Sequence, residues 1–481
     1  MFLGIDIGTS AVKTVIADES GEIFEEASRP LGISRPRPLF SEQDPDEWWK
    51  AASEAVGALS ADRRRAVQGI GLAGQMHGAT LLDSADRPVR PAILWNDGRS
   101  QAECAELEAA EPRSREIAAN MAFAGFTAPK LLWVQRHEPE AFAATECVLL
   151  PKDYVRLRMT GDKATDASDA SGTLWLDVAA RKWSHEMLAA TGLEERHMPR
   201  LYEGTEVTGL LRSEVARDWG MDEVPVAAGG GDNAAAAIGA GVVADGDAFI
   251  SLGTSGVSFV ATDRLRPNAD SGLHAFCHAL PNRWHQMSVM LSAAASLDWA
   301  ANLLGMDVPG LIDCAARANE RSTPIFLPYL TGERTPHADP HAKGVFFGMT
   351  ADTDRAELAR AVLDGVALAL RDGFDIIDAA GSRVESFTVV GGGSRSAYWG
   401  ALIASALGRP LVFRRHGAVG PALGAARLAQ VACGAGTVQG SCAPPAAIER
   451  VEPDSDLTQY YADRQPRFRS LYAALKSSFR D

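Results

Sequence analysis

Apolar and polar positions follow the same short pattern twice in the chain, 245 residues apart. Residues 5–18 read IDIGTSAVKTVIAD and residues 250–263 read ISLGTSGVSFVATD. Each is an apolar strand, a Gly-Thr-Ser turn and a second, alternating strand, which is the signature of a β-hairpin. Elsewhere the period changes. QGIGLAG (68–74) and SFTVVGGG (386–393) read as strands that end in glycine. DPDEWWKAASEAVGAL (44–59), ELARAVLDGVALALRDGFDIIDAAG (357–381) and YWGALIASALG (398–408) carry apolar positions at helical spacing. Strands alternating with helices predict mixed or parallel sheets covered by helices.

A matched hairpin at the start of each half implies two similar domains, here residues 1–243 and 244–481. GAGVVADGDA, Gly239 to Ala248, is the linker candidate, being small, flexible and acidic. Residues 100–220 carry helices and turns outside the repeat and read as an insertion in the first domain. Near the C-terminus CAPPAAIERVEPDSD (442–456) reads as a loop and QPRFRSLYAALKSSF (465–479) as a closing helix.

At 481 residues the chain is long for one core, in keeping with two domains. A net charge of −15 argues against nucleic acid or an anionic membrane as the main partner. An anionic nucleotide needs only a local cradle and a metal ion. The six cysteines are scattered without a CxxC pair, and Asp6 interrupts the first apolar run. No stretch reaches membrane-spanning length. These features predict a reduced, cytoplasmic protein.

The glycines carry the candidate chemistry. Gly8-Thr9 and Gly253-Thr254 begin turns whose N–H groups can form anion nests, so the repeat points to phosphate binding. The repeat is asymmetric at one position, Asp6 against Ser251, and a carboxylate on one side only suits a metal ion. Gly391, Gly392 and Gly393 join a strand to a helix, a junction that suits a nucleotide. In VPVAAGGGDNAAAAIGAG (224–241) three glycines lead to Asp232 and an alanine-rich helix, so Asp232 is either an N-cap or a reactive carboxylate. His77 in GQMHG and Trp95-Asn96-Asp97 in LWNDGR follow apolar strands, where α/β ligands collect. GIGLAG matches GxGxxG literally, but it alternates like a strand and no long helix follows, so a dinucleotide fingerprint is rejected. HAFCH (274–278) lacks a second ligand pair and reads as core or loop histidines rather than a metal site.

Taken together these stretches resemble the FGGY carbohydrate kinases over nearly the whole chain, weakening after about residue 435. GFTAPKLLWVQRH (125–137) and GVFFGMTADTDRAELARAVLD (344–364) resemble the family's two signatures, and GERTPH (332–337) is a further matching stretch. The resemblance implies an α/β fold of two actin-like (ribonuclease H-like) domains around a central cleft. It implies transfer of the ATP γ-phosphate to the 5-hydroxyl of D-xylulose, with Mg²⁺. By position it makes Asp232 the catalytic base and puts Met76, His77, Asp232 and Asn233 in the sugar site. Gly8, Thr9, Thr254, Gly391, Gly392 and Ser396 fall to the nucleotide, and Asp6 to the metal. Other sugars of the family remain alternatives: ribulose, fuculose, gluconate or glycerol. So does an actin- or chaperone-type ATPase switch. The oligomeric state is open, a homodimer among the options.

Overall fold

The computed structural model describes residues 1–391, 396–415 and 420–480. Two seven-stranded mixed sheets dominate it. The first contains β1 (Phe2–Ile7), β2 (Ala11–Ala17), β3 (Ile23–Pro30), β4 (Gly69–Gly74), β5 (Val207–Leu210), β6 (Pro225–Ala227) and β7 (Gly230–Gly231). Their order is β5-β6-β4-β1-β2-β3, with β7 also on β4. The second contains β8 (Ala248–Leu252), β9 (Gly256–Thr262), β10 (His274–Cys277), β11 (Trp284–Met290), β12 (Phe387–Val390), β13 (Leu411–Arg414) and β14 (Ala447–Val451). Their order is β10-β11-β9-β8-β12-β13-β14.

The duplication reaches far beyond the hairpins. β1 lies antiparallel to β2 and parallel to β4, and β8 bears the same relation to β9 and β12. Outward, β6 and β13 add in parallel and β5 and β14 add antiparallel. Two expectations need correction here. The constant offset fails across the turn: Asp6 pairs with Lys13, whereas Ser251 pairs with Val257, so the second turn is one residue tighter. The segment read as a C-terminal loop contains β14, an edge strand exposed along nearly all its length.

The helices that matter are α1 (Pro45–Ala58), α2 (Thr127–His137), α3 (Pro151–Thr160), α4 (Ala167–Ser171) and α5 (Asp232–Ala240) in the first half. The second half supplies α6 (Ala294–Leu304), α7 (Arg355–Ala379), α8 (Ala397–Leu407), α9 (Gly420–Ala432) and α10 (Ser455–Leu475). Local sequence explains their starts. Asp44 caps α1, and Asp354 caps α7 in a reciprocal box with Glu357. No helix among the described residues is long and apolar enough to cross a membrane.

One helix crosses the sequence divide. Although it follows residue 243, α9 packs against β1 and β4 of the first sheet and against α5. The approach is so close that a Cβ on Gly4 would overlap the Ala422 carbonyl, and one on Gly71 the Ala425 carbonyl. Gly71 of GIGLAG therefore serves helix-on-sheet packing. The Arg427 guanidinium completes the contact by donating to the Ile238 and Gly239 carbonyls at 3.0 and 3.1 Å, at the C-terminal end of α5.

Candidate active site

Three adjacent strands of the first sheet end together: Ile7 of β1 and Gly231 of β7 both pair with Gly74 of β4. Asp6, the Met76-His77 pair and Asp232 thus gather at one sheet edge, where α/β folds place ligands. In the second sheet Ser251 pairs with Val390, which brings the 253–255 turn beside Gly391. Gly391 has φ +90° and passes close to the Leu252 backbone. Gly392 lies outside the described residues.

Asp232 is not the N-cap of α5. Gly231 holds that position, and Asp232 is the first helical residue. Its Oδ1 accepts the Asn233 backbone N–H at 2.7 Å and the Asn233 side-chain amide at 2.9 Å. Oδ2 makes no hydrogen bond among the described residues. The side chain is partly exposed in the cleft, yet burial pushes its carboxyl up to about 6 against the pull of the Asn233 hydrogen bonds. Asp6 is more enclosed. Burial, and then the Asp232 charge, push it up to about 7, while Lys13 pulls it down. Its Oδ1 is buried without a hydrogen-bond partner.

The glycines before Asp232 are needed for packing within the protein. Gly229 has φ +77°, and a Cβ there would overlap the Leu72 carbonyl. One on Gly231 would press on Met76 at 2.9 Å. The loop is also clamped from the insertion. Arg156 of α3 donates to the Ala227 carbonyl at 2.8 Å and to the Ala228 carbonyl. Ser168 of α4 accepts the Gly231 N–H at 3.1 Å and donates to Asp166. Behind it Lys152, fully buried, meets Asp153, Asp166 and Asp169 at 2.6, 2.9 and 3.1 Å. No sequence signal separates these charged positions from an ordinary solvated helix face.

His77 takes a left-handed backbone, φ 68°, which costs a non-glycine residue on the order of 1 kcal/mol. The segment 125–137 holds it there: Lys130 Nζ and Thr127 Oγ1 donate to the His77 carbonyl at 2.7 and 3.2 Å. Burial, then the Lys130 charge, keep the ring neutral. Its Nδ1 lies 2.7 Å from the Gly172 carbonyl, so Nδ1 carries the proton and Nε2 is an acceptor. Met76 is buried beside it.

The first turn has its hydroxyl committed. Thr9 Oγ1 donates to Gln75 at 3.1 Å and accepts the Trp95 indole N–H at 2.9 Å. What remains for an anion are backbone donors. The N–H groups of Thr9, Ser10, Thr254 and Ser255 donate to no group among the described residues, as an anion nest requires. The Gly253 and Thr254 carbonyls accept from Ala294 and Ala293 at the start of α6, which fixes the second turn. Ser396 caps α8 through the Trp399 N–H at 3.2 Å. Two other motifs are structural. Asp97 is spent on a buried pair with Arg99 at 2.7 Å. His274 and His278 are buried among aromatic rings.

A duplicated actin-like sheet, two anion-ready turns and a helix-borne carboxylate at the cleft define a phosphoryl-transfer architecture. The comparisons with known proteins agree. The description of the FGGY family of carbohydrate kinases, N-terminal domain, matches residues 1–239, and that of its C-terminal domain matches residues 248–433. The chain is 54% identical over 479 residues to a xylulose kinase of Escherichia coli (strain K12), covering 99% of each. Among solved structures it is similar to a xyloylose kinase from Brucella ovis, with TM-score 0.95, 48% identity and 99% of each chain covered. A xylulose kinase from Rhodospirillum rubrum gives TM-score 0.91 at 28% identity, with 100% of each chain covered. The chain belongs to the FGGY family of carbohydrate kinases.

Proposed function

We propose that the protein phosphorylates D-xylulose with ATP, giving D-xylulose 5-phosphate and ADP. Full-length similarity to xylulose kinases supports the substrate. The observation that carries the chemistry is Asp232, a carboxylate in the cleft whose Oδ1 is held by Asn233 while Oδ2 stays unengaged among the described residues. In this reading Asp232 accepts the proton of the 5-hydroxyl as that oxygen bonds to the γ-phosphorus and the bond to the ADP oxygen breaks. A group ionising near 6 is charged at neutral pH and ready for that proton.

Met76, His77 and Asn233 complete the sugar site, with the His77 Nε2 accepting from a sugar hydroxyl. Gly8 and Thr9 face the transferred phosphate, and Thr254, the Gly391–Gly392 turn and Ser396 serve the nucleotide. Asp6 fits a magnesium ion. It offers a buried oxygen without a partner, and no group of three metal-ligating side chains exists among the described residues. So sparse a protein shell suits an ion that keeps water and phosphate ligands. Such an ion supplies charge neutralisation on the phosphates. A cytoplasmic setting belongs to the same reading. The test is ADP release with Mg-ATP and D-xylulose, beside ribulose, fuculose, gluconate and glycerol. D-Xylulose should give the highest kcat/KM, and a higher value on another sugar would reassign the substrate.

A further inference from the structure

The second half puts one unpaired cation into the cleft wall. Arg334 lies 5.9 Å from the Trp95 ring and 5.8 Å from the Phe123 ring, both of the first half. Its guanidinium makes no hydrogen bond or ion pair among the described residues and is partly exposed. The adjacent carboxylate makes no ion pair with it: Glu333 Oε1 accepts the backbone N–H of Leu291 and of Arg334 at 3.0 and 2.7 Å, and its Oε2 is buried without a hydrogen-bond partner. The loop beneath is firmly mounted. Glu333 and Asp339 exchange backbone hydrogen bonds at 2.9 and 2.8 Å, and Thr335 Oγ1 donates to the Gly272 carbonyl at 3.0 Å. A guanidinium without a hydrogen-bond partner, carried on a fixed loop beside the Trp95 and Phe123 rings, is a donor set awaiting an acceptor.

Its place along the cleft is defined by the rings around it. The Phe123 ring beside Arg334 stands 5.8 Å from Phe126, and the Phe126 ring stands 4.6 Å from His77. It therefore stands toward the His77 end of the cleft. Chemistry then selects the contact. A guanidinium only donates, whereas His77 Nε2 and Asp232 only accept. The acceptor-only oxygen of a ketose is its carbonyl. A 2-ketopentose phosphorylated on its 5-hydroxyl must bind open-chain, because ring closure through that oxygen consumes the attacking group. Its carbonyl then lies three carbons from the reacting end.

We propose that Arg334 is a specificity-determining residue whose guanidinium donates to the C2 carbonyl oxygen of the bound ketose. The second half thereby reads the ketone while the first half holds the hydroxyls. This rests on the xylulose reading above. The probes are D-xylulose as substrate and xylitol, which lacks the carbonyl, as competitive inhibitor. Arg334→Gln should raise KM for D-xylulose on the order of 10- to 100-fold, the range of a hydrogen bond from a charged donor. The xylitol inhibition constant should change less than about threefold, and KM for ATP should hold. Equal losses on both probes, or an unchanged KM for D-xylulose, overturn the assignment. Arg334→Lys carries the test if the Gln variant does not fold. It should narrow the ketose-over-polyol preference, and an unchanged preference again overturns the assignment. Failure of the unaltered protein to phosphorylate D-xylulose refutes the substrate reading instead, and shows itself before any variant is made.

Discussion

Ser168 accepts the backbone N–H of Gly231 at 3.1 Å, so the first half's insertion holds the residue immediately before Asp232. Ser168 is in turn fixed through Asp166 to the buried Lys152. Ser168→Ala should leave the Gly231 N–H buried without a partner, a loss of about 1–3 kcal/mol. If the clamp positions the carboxylate, kcat falls roughly tenfold or more well below the melting temperature, with KM for ATP unchanged. A variant that only melts earlier, with full kcat at low temperature, would make the contact purely structural.

Asp6 and Ser251 occupy matching places, each the penultimate residue of a central strand. Only the first is a carboxyl, and its Oδ1 has no hydrogen-bond partner. Asp6→Asn should lower kcat and weaken the dependence on Mg²⁺ while KM for the sugar moves little. Unchanged turnover and an unchanged magnesium titration would remove Asp6 from the metal site.

The two carboxyls also set pH dependence. Burial raises Asp232 to about 6 and Asp6 to about 7, both above the ordinary 3.8. A general base must be ionised, so kcat/KM should fall about tenfold per pH unit below about 6. The sign for stability is opposite. A carboxyl with a raised folded pKa binds its proton more tightly in the folded state, so its contribution is lost as pH rises from about 4 to about 7. Melting curves of the ligand-free protein across that window should show this slope, and Asp232→Asn should flatten part of it. A melting profile identical in the two proteins would argue against the raised value.

Much of this was legible in the chain because it depends on local pattern. The repeated Gly-Thr-Ser turn marked the duplication, and the apolar periods marked α1, α7 and α8. The site beyond its glycines was less readable. Lys152, Asp153 and Arg156 look like a solvated helix face in sequence, yet all three are fully buried. Their burial follows from tertiary neighbours, the Ala227 and Ala228 carbonyls and Asp166, which no local window contains. The glycines before Asp232 stand out in the sequence, whereas their packing against Leu72 and Met76 does not. The register slip between the two hairpins hides for the same reason, since identical turns do not report how their strands pair.

The sugar-site candidates and the Gly8-Thr9 turn lie on the first sheet, whereas Thr254, Gly391 and Ser396 belong to the second half, so ligands should draw the halves together and exclude water. Small-angle scattering with D-xylulose and a non-hydrolysable ATP analogue should give a smaller radius of gyration than the free protein. The α5–α9 contact, closed by Arg427, is tight enough to act as the fixed side of such a motion. Equal radii in both states would count against closure.

The most decisive substitution is Asp232→Asn. A purely helix-supporting Asp predicts a nearly silent change, because Asn serves helix starts about as well. Nor does the structure give Asp232 a cap to lose, since Gly231 is the N-cap. As the proposed base, its loss should lower kcat on the order of 10²–10⁴-fold. By transition-state arithmetic this is roughly 3–5 kcal/mol. KM for ATP should change little, because the free N–H groups of both turns are untouched. Sugar affinity should fall modestly if Oδ2 also accepts a hydroxyl in the ground state. The measurement is turnover at saturating D-xylulose and Mg-ATP, beside a thermal melt. Full turnover in a folded Asn variant would move the proton acceptor elsewhere, with Asp6 the next carboxylate to test.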